Sequence, residues 1–171
     1  NYVATGSKDK SIKLWELKTG REVRSLLGHE MTVNSIRFSP DGKQLISGSN
    51  DKTIRIWDLT TGKSLQTIST TDYIIAVAVD PLKRFFVAGG YNDSGYPDSA
   101  MVYDLKSYKL IRKLPIDESN TLGIMFSPDG KLLAFGEDNR VASVFSTDTW
   151  QRIHQFTFTD GWCGGCYSLV Q

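Results

Sequence analysis

Few of this chain's reactive residue types stand in a complete chemical pattern. Cys163 and Cys166 lie three apart in Trp162-Cys163-Gly164-Gly165-Cys166. That is the spacing of a dithiol redox motif, whose attacking thiolate needs a helix N-terminus to lower its pKa. Five residues follow Cys166, and no strand-helix-strand pattern precedes it, so the support for thiolate chemistry is missing. A zinc site would need two further ligands besides these thiols, but of the two histidines His29 is assigned to a hydrogen-bonded network below and His154 falls on a predicted outer strand. Thr61-Gly62-Lys63-Ser64 ends like a phosphate-binding loop, but Trp57 stands where the leading glycine belongs. Asp58, Asp104, Asp129, Asp138 and Asp148 supply carboxylates at turn positions, where aspartate usually hydrogen-bonds its own backbone instead of moving protons. No Ser, His and Asp trio has a motif for nucleophilic catalysis. The sequence therefore predicts no catalytic residue, no metal site and no cofactor.

The elements that carry these residues follow from an internal repeat. Trp15, Trp57, Tyr103 and Phe145 are separated by 42, 46 and 42 residues. One position before each stands Leu14, Ile56, Val102 or Val144, and three before stands Ile12, Ile54, Ala100 or Ala142. Alternation with period two predicts a strand at every anchor. A second strand follows, with Val23, Leu65, Ile111 and Ile153 eight residues on and Leu26, Ile68, Leu114 and Phe156 eleven residues on. The turn between holds Gly20, Gly62, Tyr108 or Trp150, and its Thr-Gly pairs suit a backbone with positive φ. Upstream, Phe38-Ser39-Pro40-Asp41-Gly42 recurs as Phe126-Ser127-Pro128-Asp129-Gly130 and, eroded, as Val79-Asp80-Pro81-Leu82-Lys83. Each predicts a hairpin turn. Four short strands per unit result, and no window carries a useful helical period. In this register Cys163 falls where Val33, Ile74 and Thr121 stand, and Cys166 where Ile36, Val77 and Ile124 stand, so both read as small buried strand residues.

Gly28-His29, Ser39-Pro40-Asp41-Gly42, Ser47-Gly48-Ser49-Asn50-Asp51 and Trp57-Asp58 resemble one complete WD repeat, the four-stranded blade of a β-propeller. The resemblance covers the whole chain, is strong through residue 68 and weakens afterwards. It implies an all-β propeller with four blades' worth of sequence, in units 1–27 (partial), 28–68, 69–114, 115–156 and 157–171 (partial). It also implies a hydrogen-bonded network across the second blade through His29, Ser47, Asp51 and Trp57. Such a network satisfies buried polar groups and pins strand register. The first unit keeps Thr5, Asp9 and Trp15. The third has Thr71, Ala88, Asn92 and Tyr103, and the fourth has Asp117, Phe135, Asn139 and Phe145. The last two have lost the network and are expected to be the softer blades.

By this phasing the chain is cut within the hairpin joining the first and second strands of a blade. It opens on a second strand and closes on a first. Three assemblies fit: a segment of a longer propeller, which we favour, a homodimer sharing an eight-bladed ring, and a four-bladed ring that removes two exposed edges.

Composition narrows the partners. With 20 Lys plus Arg against 19 Asp plus Glu, the net charge of +1 builds no field for non-specific nucleic acid or anionic membrane binding. No run approaches the roughly 18 apolar residues of a membrane span, and the first ten residues lack a signal-peptide layout, so cytoplasmic placement is expected. Propellers gather two sets of loops on one face around the central channel, and by resemblance partners dock there. Lys8, Met31, Asn50, Tyr73, Tyr91, Tyr96 and Trp162 are the expected contacts, with Tyr91 and Tyr96 on an insertion of about five residues relative to sister units. The expected function is a non-catalytic scaffold binding a protein or peptide. The alternative is a regulatory or sensor propeller attached to a catalytic or signalling domain outside this chain.

Overall fold

In a computed structural model of the chain, residues 1–94, 100–116, 120–137 and 140–158 are described. They form fifteen strands in four antiparallel sheets. The first sheet has three strands, β1 (Tyr2–Gly6), β2 (Ile12–Glu16) and β3 (Glu22–Leu26). The second is four-stranded, with β4 (Val33–Phe38), β5 (Gln44–Ser49), β6 (Thr53–Asp58) and β7 (Ser64–Ser69). The third holds β8 (Tyr73–Val79), β9 (Phe85–Tyr91), β10 (Ala100–Asp104) and β11 (Leu110–Leu114). The fourth holds β12 (Thr121–Phe126), β13 (Leu132–Glu137), β14 (Val141–Ser146) and β15 (Arg152–Thr157). Trp15, Trp57, Tyr103 and Phe145 all lie on the third strand of the blade pattern.

In the second and third sheets the alternating side chains of the middle strands belong to two different cores. Leu45 and its cross-strand neighbour Trp57 pack with Ile12, Leu26 and Val33, joining the first two sheets. Ile46, Ile54 and Ile56 point the other way, onto Ile74, Val77, Phe86 and Tyr103 of the third sheet. Val87, Val102 and Leu114 then meet Ile124, Leu133, Phe135 and Phe145 of the fourth. The inner strands β1, β4, β8 and β12 touch in succession. This is the radial stacking of a β-propeller. At the inner end the sheets approach so closely that a Cβ on Gly48 would collide with the Ile74 side chain.

The turns joining the two outermost strands of each blade settle the positive-φ expectation. Gly20 and Gly62 take φ of 67° and 76°, and Tyr108 and Trp150 hold φ of 59° at the same repeat position. A bulky residue tolerates that region only when other contacts fix it. The Trp150 ring packs edge-on against Phe85 of the third sheet, 5.0 Å between centroids. The Tyr108 hydroxyl accepts a 2.8 Å bond from Gln44 Nε2 of the second sheet. Arg24 likewise reaches from the first sheet to the carbonyls of Thr60 and Thr61 in the second. Each neighbouring pair of sheets is thus fastened by a side-chain contact at the turn end.

The repeated apolar position eight residues after each anchor proves to be surface. Val23, Leu65, Ile111 and Ile153 are 44–48% exposed, because the outer strand has a sheet neighbour on one side only. Cys163 and Cys166 lie outside the described residues.

Candidate functional site

The structure brings His29, Ser47, Asp51 and Trp57 together in one chain of hydrogen bonds. His29 Nδ1 lies 2.7 Å from Asp51 Oδ2, and His29 Nε2 lies 2.7 Å from Ser47 Oγ. Trp57 Nε1 donates to the same Ser47 Oγ at 2.8 Å. A carboxylate only accepts, so Nδ1 carries the proton, and Nε2 accepts from the serine hydroxyl. The order is indole to hydroxyl to imidazole to carboxylate, with every buried polar atom paired. Asp51 Oδ2 also accepts the Glu30 amide, and Oδ1 accepts the Thr53 amide and hydroxyl. One carboxylate therefore fixes both a turn and the loop entering the blade.

These distances are also those of a nucleophile, base and orienting acid. Ser47 is fully buried, and its oxygen already receives the Trp57 N–H. No substrate carbonyl can reach it, so the arrangement stabilises the blade.

Burial holds the His29 imidazole below its ordinary pKa, against the pull of Asp51 in the other direction. Burial pushes Asp51 up, but the Thr53, Glu30 and His29 hydrogen bonds together bring its carboxyl below the usual range. The unfolded histidine takes a proton near about pH 6.5, whereas the folded one refuses it until a lower pH. Folding stability therefore falls as pH drops below that value, and Asp51 adds a further loss at more acidic pH. Urea midpoints measured from about pH 7.5 down to about pH 5 should decline, and His29→Gln should remove most of that decline.

The third and fourth blades replace the polar chain differently. In the third sheet Ala88 offers no acceptor, so Tyr103 stacks on Phe86 at 4.9 Å and turns its hydroxyl to Met101 Sδ at 3.2 Å. Burial raises that hydroxyl to about 12. In the fourth, Phe135 and Phe145 meet edge to face, beside a buried bond from Ser143 Oγ to Glu137 Oε1 at 2.9 Å. The sequence reading missed that pair, because Glu137 stands where Ser49 is in the intact repeat.

The expected contact residues divide into described and undescribed. Lys8 and Met31 are exposed, while Asn50, Tyr73 and Tyr91 are half-buried. Tyr96 and Trp162 lie outside the described residues. Ser7 O accepts the Val33 amide, and Thr32 O accepts the Asn50 amide, so the turns of Lys8 and Asn50 flank the loop of Met31. Asn34 Nδ2 bonds Asn50 Oδ1 and Ile74 O, carrying the same face across to the third sheet. There the Tyr73 and Tyr91 rings pack at 4.9 Å with a 34° tilt, Lys52 Nζ sits 4.5 Å over the Tyr73 ring, and Asp93 binds both Lys52 and Tyr73.

A cleft of about 490 Å³ opens between β4, β8 and β12, bordered by Asn34, Ile75, Leu122 and Phe156. Among the described residues Arg37 is the one charged side chain along it, and its guanidinium donates to the Ile36 carbonyl. Among the described residues no acid–base pair converges there. Among the described residues no group of three or more His, Cys, Asp or Glu could hold a metal ion, and no helix is long and apolar enough to cross a membrane.

Residues 1–16 and 20–58 match the family described as WD domain, G-beta repeat. The Lissencephaly-1 homolog of Heterostelium pallidum is 59% identical over 46 residues, 27% of this chain and 11% of that protein. Eukaryotic translation initiation factor 3 subunit I of Culex quinquefasciatus is 30% identical over 153 residues, covering 83% of this chain and 46% of that protein. Nuclear distribution protein nudF of Aspergillus niger is 50% identical over 46 residues, 27% of this chain and 10% of that protein. The chain spans less than half the length of these relatives.

Proposed function

Because the chain is a member of the WD-repeat family built as a β-propeller, we infer that its loop face docks a protein or peptide partner and that it performs no catalytic step itself. The observation that carries this reading is the face holding Lys8, Met31, Asn50, Tyr73 and Tyr91. It joins three successive sheets, and its turns are pinned from below by the Asp51 and Asn34 hydrogen bonds. Met31 is 48% exposed, and the Tyr73 and Tyr91 rings pack 4.9 Å apart on the third sheet. Aromatic groups on a rigid support lose little entropy on binding, and such side chains are enriched among the residues that dominate interface energies. One relative is by its name a subunit of an initiation factor, which fits a role inside an assembly.

Alanine at Lys8, Met31 and Tyr91 together should weaken capture of the native partner by about tenfold or more. Leu65→Ser and Ile153→Ser, on the outer strands, should leave it unchanged. Full retention by the loop-face variant, with loss in the outer-strand variants, would overturn the assignment.

A further inference from the structure

The Lys52, Tyr73 and Asp93 cluster has the form of a receptor occupied by a tethered ligand. Lys52 Nζ lies 2.6 Å from Asp93 Oδ2, and the Tyr73 hydroxyl donates to Asp93 Oδ1 at 2.6 Å. Two donors from two different sheets thus grip both oxygens of one carboxylate. The donors are fixed from below. Lys52 follows Asp51 in a turn held by the Asp51 hydrogen bonds and adopts φ of 61°. Tyr73 opens β8, pairs with Tyr91 across the sheet and packs against its ring.

The carboxylate is held far less firmly. The Asp93 side chain is 71% exposed against 30% for Lys52, and it sits on the insertion absent from the sister units. Removing it disturbs no core contact. An exposed ion pair of this kind is weak, and its advantage over a free carboxylate is the high effective concentration of a short tether. The Lys52 ammonium, followed by the Tyr73 hydroxyl, keeps the Asp93 carboxyl below the ordinary range, so it stays ionised and in place near neutral pH.

We propose that Lys52 and Tyr73 form a carboxylate-binding fork on the loop face, that the partner enters it with an aspartate or glutamate of an acidic peptide segment, and that Asp93 is an internal latch which that side chain displaces. This rests on the docking reading above and gives it a partner chemistry. The Tyr73 and Tyr91 rings at the fork suit an apolar side chain near the acid. The Lys8, Lys10 and Lys52 turns on neighbouring blades favour further negative charge in the segment.

The test uses a fluorescent decapeptide of alternating glutamate and glycine with one central phenylalanine, and its glutamine counterpart. Asp93→Asn should tighten the glutamate peptide about tenfold and leave the glutamine peptide within about twofold. Glu30→Gln, an equal charge change on the same face away from the fork, should change the glutamate peptide less than about twofold. Adding Lys52→Met or Tyr73→Phe to Asp93→Asn should cancel the gain. If Asp93→Asn gains no more than Glu30→Gln, the latch is wrong, whereas the docking reading stands so long as Met31→Ala and Tyr91→Ala still weaken the peptide. If none of these substitutions alters binding, the fork and the peptide-docking reading both fall.

Discussion

Ser47→Ala should cost about 2–5 kcal/mol of folding stability, because one hydroxyl serves two buried partners. Its loss leaves the Trp57 indole N–H without an acceptor and His29 Nε2 without a donor, in a site closed to water. Each orphaned buried group costs about 1–3 kcal/mol. The first sheet contains the control. Trp15 Nε1 donates to Thr5 Oγ1 at 3.0 Å in the equivalent register, but that pair is exposed. Water replaces the lost acceptor there, so Thr5→Ala should cost no more than about 1 kcal/mol. Urea unfolding of the two variants isolates desolvation from the hydrogen bond itself. Equal losses would show that the buried chain adds nothing beyond its contacts.

The second large effect is expected where the third and fourth sheets join. Asp80 is fully buried and accepts both the Arg84 amide at 3.1 Å and the Arg84 Nε at 2.7 Å. Arg84 Nη2 crosses to the Gly130 carbonyl at 2.7 Å and to Thr147 Oγ1 at 3.3 Å. Arg84→Ala strands the Asp80 charge and opens the seam between blades. Removing one partner of a buried pair costs about 3–5 kcal/mol. The Arg84 side chain is 33% exposed, which reduces the expected loss to about 2–4 kcal/mol. Adding Asp80→Ala should recover part of it, since the unpaired charge disappears. A double variant less stable than the sum of both single losses would contradict this account.

Much of the fold was legible because a two-residue alternation and a fixed repeat are strong signals. The turns at Pro40-Asp41-Gly42 and Pro128-Asp129-Gly130 carry their own chemistry, with Ser39 and Ser127 each donating to the turn aspartate at 2.6 Å. The eroded copy misled by looking degraded. Asp80 replaces the serine, keeps a side-chain bond to a backbone amide and recruits Arg84 four residues on, so the turn is specialised. The Asp80 and Arg84 spacing was visible, but the link to Gly130 needed the stacking of two sheets. The same holds for the fork, since Lys52, Tyr73 and Asp93 come from separate segments. Tyr73 and Tyr91 were legible from their loop positions, whereas nothing local to Lys52 marks its contact with Asp93, 41 residues on. Glu137 and Ser143 were hidden for a related reason: no local pattern marks a buried carboxylate whose partner lies on the adjacent strand.

The most direct test of the docking account is amide hydrogen exchange on the protein with and without its native partner. Binding should slow exchange in residues 7–10, 28–32 and 50–52 and at the start of β8, and leave β3, β7 and β11 unchanged. Slowed exchange confined to those outer strands, with the loop face unaltered, would contradict it.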